Sequence, residues 1–388
     1  CKPATETWAM KLVAISRVRN EADIVEPFVR HHAVYFNKII ILDDGSSDGT
    51  FEILRALQTE GLPLVVLRAP AIGYEQSRYM TQLLRLAVDQ FGADWVAPID
   101  ADEFVEPDAG CTVAEILEKQ AGQPVSIAWH NFEWHPECDE DPEPNPVVKQ
   151  GRRLPPRADH TKIFVPASLV GKSSILEQGN HRMTNDGGVL ACLPLRSIEL
   201  CHFPIRSAVQ YASKIVVGYL QYLSMPNWDG QIGFHYKDPF DTLIKGGIEA
   251  LKERMTDDAR YYSSEKETRE MIATVSHPAP LRYQGGSLKY TEPPDALLQN
   301  ILQFAQAVAR DRANLAWRAA AKSVDDGRDN RQTDSARVSP GFSNDDETVT
   351  HRHESARVSA KRALADDLDD AVAVGDHLRG GHAPILPA

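Results

Sequence analysis

Four short apolar runs, Lys11–Ser16, Lys38–Leu42, Leu62–Leu67 and Trp95–Ile99, are separated by three segments with apolar residues at helical spacing, Ala22–Phe36, Phe51–Glu60 and Tyr74–Phe91. Strand and helix in alternation leave few solutions: parallel βαβ units with right-handed crossovers, both faces of the sheet covered by helices. Open sheets of this kind bind ligands outside the carboxyl ends of their strands. Three polar stretches fall there. Arg17–Glu21 follows the first run, Asp43–Asp48 the second, and Asp100–Glu103 the fourth. Their convergence on one crevice is the main expectation, and it carries more weight than any single motif.

The fourth run ends in Asp100-Ala101-Asp102-Glu103-Phe104. Residues two apart on an extended backbone leave the same face, so Asp100 and Asp102 can grip one hard divalent cation between them. The plainer reading is a solvated junction between strand and loop. Charge bears on the choice. The 388 residues carry a net charge of -13, which argues against a general attraction to nucleic acid or anionic lipid. A phosphate-bearing ligand must therefore be held locally, and a bound cation reverses the field of an acidic site.

Beyond this half lie further candidates. Val125–His135 reads as a strand rich in aromatics, and Trp129, Phe132 and Trp134 offer either stacking faces or core. Pro136–Pro156, loaded with proline and acid, reads as an irregular loop. Thr161–Val165 is a short strand, Gln178–Arg182 a loop, and Ser197–His202 a strand ending just before Pro204. Helices are expected at Thr112–Ala121, Ala208–Leu223, Ile248–Ala259, Glu265–Ala273 and Pro294–Arg318. From about Ser323 the chain has few large apolar residues and reads as a disordered tail, with a transient helix at Ala360–Leu368. Five cysteines without a C-x-x-C pair, no apolar run near the roughly 18 residues that span a bilayer and no secretory signal suggest a cytoplasmic protein.

Four blocks in this order resemble the family-2-like glycosyltransferases of the GT-A fold, in the bacterial subgroup with an Asp-Ala-Asp-Glu-Phe motif. They are Val13–Glu21, Ile41–Thr50, Trp95–Phe104 and His202–Ser207. The resemblance implies an α/β fold, a GT-A type Rossmann-like, mostly parallel sheet flanked by helices. It also implies a metal-dependent transferase, of inverting type, moving a sugar from a nucleotide-sugar donor, UDP-sugar favoured, to a glycan or small acceptor. Mn²⁺ or Mg²⁺ on Asp100, Asp102 and His202 is the implied cofactor. Of these, Asp102 is the first choice as direct ligand, Asp100 is alternatively a partner of the ribose hydroxyls, and His202 is alternatively a core histidine. Arg206 reads either as a phosphate contact or as a surface ion-pair residue.

The nucleotide-sugar set implied by the resemblance is Arg19, Asn20, Glu21, Asp43, Asp44, Gln76, Arg78, Asp100 and Ala101. Asp43 is placed at the imide of the base. Asp44 has an alternative in turn chemistry, Asp48 in helix capping, and Gln76 and Arg78 in an exposed helix face. The acidic pair that many relatives carry before the later histidine is missing between Ile163 and His202. The general base is assigned first to His181 and next to Glu177. The organisation expected is a catalytic domain over 1–322, made of a nucleotide-sugar half (11–125), an acceptor-side half (126–225) and a helical extension (226–322), then the tail at 323–388. Two competing readings stay open: a nucleotide-sugar or glycan-binding module without turnover, and a sugar-nucleotide pyrophosphorylase. The latter lacks its glycine-rich loop here, since Arg17–Glu21 holds no glycine.

Overall fold

The computed structural model describes residues 10–69, 73–225, 230, 233–260, 262, 273–282, 288–291 and 297–311. Its main sheet contains β1 (Leu12–Val18), β2 (Lys38–Asp43), β3 (Leu64–Arg68), β4 (Trp95–Pro98), β5 (Glu103–Pro107), β6 (Val125–Asn131), β7 (Arg157–Pro166) and β8 (Leu193–His202). The order across the sheet is β3-β2-β1-β4-β7-β6-β8-β5. Strands β3, β2, β1 and β4 are parallel neighbours, as are β6 and β8, whereas β7 and β5 run against the strands they pair with. This mostly parallel sheet flanked by helices is the Rossmann-like α/β arrangement that the alternation of strand and helix predicts.

Strand alternation explains why the first half folds this way. Leu12, Ala14, Ile39 and Ile41 enter one core with α1 (Val25–His32) and α2 (Thr50–Thr59). Val13, Ile15, Ile40 and Leu42 enter the other with α3 (Gln76–Asp89). Both faces are therefore dry, which is why these strands read as continuous apolar runs rather than alternating ones. The short α4 (Val113–Glu118) begins with a capping box between Thr112 and Glu115. A third core joins α5 (Ala208–Leu223) to α6 (Phe234–Arg260) through Tyr211, Ile215, Leu251 and Met255. Helix α6 is broken at Gly247, whose φ of 71° no other residue type adopts cheaply.

Two expectations need correction. The acidic tip is not the exposed end of a strand: Glu103 is fully buried and opens β5, which returns antiparallel to β8. The stretch Pro136–Pro156 is not irregular throughout, because it holds single-turn helices at Glu137–Glu140 and Pro146–Lys149 and a strand at Arg152–Arg153. Asn145 starts the second turn by accepting from the Val147 amide, with Pro146 at the first helical position. The chain divides into two units, Cys1–Phe304 and Ala305–Ala388. The second is described only to residue 311 and is helical there. The helix expected at Pro294–Arg318 is described, and helical, over 297–311. Most of Glu265–Ala273 and the whole tail from Ser323 lie outside the described residues.

Candidate functional site

The ends of β1 and β2 are held in place before any ligand is considered. Asn20 sits at φ 57°, a left-handed conformation that asparagine tolerates better than most residues. Its amide donates to Ser46 Oγ (2.9 Å), and its Oδ1 accepts from the Ser47 amide (2.9 Å). The Glu21 and Ala22 amides donate to Thr50 Oγ1 (2.8 Å) and Asp48 Oδ2 (3.1 Å). These bonds clip the first loop to the second. Asp48 also accepts from the Thr50 amide (3.1 Å), so it satisfies the start of α2 although Gly49 occupies the cap position.

A cleft of about 620 Å³ opens over these strand ends. The first loop contributes Arg17, Arg19, Asn20 and Glu21, the start of α3 contributes Tyr74 and Gln76, and the acidic tip contributes Asp100, Ala101 and Asp102. From later in the chain come Trp129, Lys162, Gly179, His181, His202 and Lys214, with Tyr222, Tyr236 and Tyr262 forming an aromatic wall. Of the three aromatics of the β6 region, Trp129 reaches the cleft, whereas Phe132 and Trp134 are core.

The two aspartates of the tip are in different situations. Asp100 Oδ2 accepts from Lys162 Nζ at 2.5 Å, and Oδ1 lies 3.1 Å from Asn180 Nδ2 and 3.4 Å from Gln76 Nε2. Lys162 also stands 3.1 Å from Glu103 Oε1. Asp102 Oδ2 accepts from Lys214 Nζ at 2.8 Å and lies 3.5 Å from His202 Nε2. Burial opposes ionisation of Asp102, but the Lys214 ammonium holds its carboxyl well below the usual range. Desolvation pushes His202 down to about 4, against the pull of Asp102, so the ring is neutral near pH 7.

His202 Nδ1 lies 2.8 Å from Asn131 Oδ1, an oxygen that can only accept. The ring proton therefore resides on Nδ1, and the Nε2 lone pair points toward the Asp102 carboxylate. Two electron-pair donors face each other across 3.5 Å, with the ring oriented from behind, as in histidines that ligate metals. Asp102 and His202 thus fit a divalent cation. Asp100, already surrounded by three donors, does not. Among the described residues no group of three His, Cys, Asp or Glu side chains converges.

Behind the tip lies Arg206, fully buried, and neither of its expected roles matches its position. Its guanidinium forks onto Asp23 (2.6 and 2.8 Å), reaches Glu21 at 2.5 Å and comes within 4.0 Å of Asp102. Burial pushes the Glu21 carboxyl up to about 8 despite Arg206. Arg206 is therefore a structural cation behind the site.

Some expected residues lie elsewhere. Asp43 does not line the cleft: it is fully buried, accepts from the Ser46 amide and pairs with Arg68 (3.1 Å). Asp44 is also buried outside the lining, where it binds Arg17 and stands 3.5 Å from Arg19. It orients two cleft arginines. Arg78 turns to Glu75 (2.7 Å) on the surface of α3, and Glu177 faces Arg182 (4.0 Å) beside the cleft rather than in it. His181 does line it, with Nδ1 2.8 Å from the Thr161 carbonyl, which leaves Nε2 as the nitrogen able to accept a proton. Lys162 and Lys214 were not anticipated, and Arg17 was expected only as part of the Arg17–Glu21 stretch. Each had a faint signal in a charged residue set within or beside an otherwise apolar run.

Residues 15–178 match the family Glycosyl transferase family 2. That region holds the first loop, the acidic tip and Lys162, and it ends before His181, His202 and Lys214. Among solved structures, the mannosyltransferase PcManGT from Pyrobaculum calidifontis, in complex with GDP-Man and Mn²⁺, shares 15% identity. That match covers 66% of this chain and 77% of the other, with a TM-score of 0.33. The mannosyltransferase Ktr4p from S. cerevisiae shares 11% identity over 34% of this chain and 42% of its own, with a TM-score of 0.20. No curated protein matches the sequence. No described helix is long and apolar enough to cross a membrane.

Proposed function

We propose that the protein is a metal-dependent glycosyltransferase of inverting type that takes a nucleoside-diphosphate sugar as donor and a glycan or small hydroxyl compound as acceptor. The observation that carries this reading is the Asp102–His202 pair set in a cleft whose first loop presents Arg17 and Arg19. A Mn²⁺ or Mg²⁺ ion on Asp102 and His202, completed by ligand oxygens and water, would offset the charge that builds on the departing diphosphate.

The chain's own groups do the rest. Arg17 and Arg19, oriented by Asp44, supply preorganised donors for phosphate oxygens. Asp100 is presented by Lys162, Gln76 and Asn180 as a rigid acceptor for donor hydroxyls. His181 takes the acceptor's proton at Nε2 while Nδ1–H stays on the Thr161 carbonyl. Trp129, Tyr236 and Tyr262 give the acceptor apolar faces. With Asp43 engaged by Arg68, the uracil preference rests on the resemblance alone, so GDP- and dTDP-sugars belong in the same test.

That test is turnover of the full chain with UDP-, GDP- and dTDP-sugars, with Mn²⁺, Mg²⁺ or chelator, reading free nucleotide and the anomeric configuration of the product. Metal-dependent release of nucleoside diphosphate with inverted product is expected, and Asp102→Ala should abolish metal-dependent donor binding without unfolding the chain. Binding of a donor without turnover under any condition would favour a binding module instead. Unchanged activity in Asp102→Ala would reject the assignment.

A further inference from the structure

Lys162 has a feature that neither motif nor family match points to. It is a lysine at 1% exposure, carried by the strand that runs antiparallel between β4 and β6. Its ammonium touches both carboxylates that flank Asp102, Asp100 Oδ2 at 2.5 Å and Glu103 Oε1 at 3.1 Å, and stands 5.7 Å from the centre of the Trp129 ring. A buried amine is stable as a cation only when partnered in this way. The two carboxylates oppose the effect of burial and raise its pKa, so the charge persists across any working pH. Asp102, by contrast, has its cation from a different element, Lys214 on α5.

We infer that Lys162 is a resident cation that reserves Asp100 from the metal, so that the divalent ion is bound through Asp102 and His202 and Asp100 stays an outer, ligand-facing acceptor. This rests on the reading of Asp102 and His202 as a cation pair. The charge arithmetic supports the division of labour. A divalent ion shared by both aspartates would lie next to the buried Lys162 ammonium, at a cost in like-charge repulsion that is only weakly screened because the amine is buried. An ion held on the Asp102 side meets Lys214, whose side chain is more exposed than that of Lys162, and the more distant Arg206 guanidinium, 4.0 Å from the carboxylate and already engaged by Asp23 and Glu21. Lys162 is in this sense a positioning residue.

The test is Mn²⁺ titration of the full chain without donor, by calorimetry and by the electron paramagnetic resonance of free Mn²⁺. Lys162→Met should tighten Mn²⁺ about tenfold, because it frees Asp100 to join the site. Asp100→Asn alone should change affinity less than twofold, and added to Lys162→Met it should return affinity to the parent value. Asp102→Asn should remove binding. An unchanged or weaker Mn²⁺ affinity in folded Lys162→Met overturns the inference while leaving the cation pair standing. A tenfold loss in Asp100→Asn does the same and needs no change at Lys162, so the inference stays exposed even if Lys162→Met does not fold. If neither the parent nor Lys162→Met binds Mn²⁺, the cation pair itself is wrong and the inference falls with it.

Discussion

Arg206→Met tests whether the acidic first loop is held by a buried cation. In the parent the guanidinium makes charged hydrogen bonds to Asp23 (2.6 and 2.8 Å) and Glu21 (2.5 Å) and a further bond to the Phe203 carbonyl (3.2 Å). Methionine fills a similar volume and removes all four. Asp23, 5% exposed, then loses the guanidinium that faces it, whereas Glu21, already pushed up to about 8, can take a proton. Breaking a buried pair by removing one partner costs about 3–5 kcal/mol. At about 2 °C per kcal/mol for a large domain, the melting temperature should fall by roughly 6–10 °C. Circular dichroism melts at neutral pH measure it directly. Arg206→Met with Asp23→Asn should recover about half of the loss, because the carboxylate that faced the guanidinium is gone, and Arg206→Lys should fall between the parent and methionine because an ammonium cannot fork. A melting temperature for Arg206→Met within about 2 °C of the parent would refute the reasoning.

Other perturbations follow from the same geometry. His31 and His32 are buried and neutral: desolvation lowers His31 to about 4 and His32 well below the ordinary value, and each ring accepts a backbone amide, from Arg282 and Val105 respectively. Both groups bind protons more tightly when unfolded. Their contribution is therefore complete above about pH 6.5 and is lost as pH falls toward 4, by up to about 1.4 kcal/mol per pH unit per histidine. A stability–pH profile checks this, and a flat profile from 7 to 4.5 would contradict it. Glu26, whose carboxylate accepts from the amides of Lys289, Tyr290 and Thr291, should lose about 2–3 kcal/mol on replacement by Ala. Hydrogen exchange at 289–291 should rise in the same variant. Gly179→Ala puts a methyl 2.5 Å from the His181 ring at a φ of 78°, so turnover should drop at least tenfold with donor binding retained. Equal loss of binding and turnover would mean that Gly179 acts on the donor side.

Local pattern was enough for the first four strands, because two buried faces demand continuous apolar runs and their polar ends mark one edge of the sheet. Helix α5 was legible for a related reason, its apolar periodicity being bounded by Ser207, which caps it. Side-chain direction at the strand ends was not legible. Asp43 was placed at the base, but the β2–β3 register sets it opposite Arg68, and that cross-strand pairing decides where its carboxylate goes. Arg206 was misread because nothing in a linear chain says that residue 23 will lie beside it. Lys162 escaped notice because its role depends on β7 inserting between β4 and β6, a matter of long-range topology. Asp102, His202 and His181 were named from pattern and resemblance, and the cleft brings all three to its lining.

The cations that balance the acidic tip all come later in the chain than the tip itself, at residues 162, 206 and 214. A nascent polypeptide that has emerged only to about residue 150 can close the parallel ribbon of β1 to β4, yet it carries Asp100, Asp102 and Glu103 with nothing to neutralise them. Completion of the crevice therefore waits on the arrival of β7 and then of β8 with α5. Truncation after residue 178, where the family match stops, would keep Lys162 for Asp100 and Glu103 but leave Asp102 without Lys214 and Arg206. The charge balance of the crevice is thus supplied by segments that follow the acidic tip along the chain.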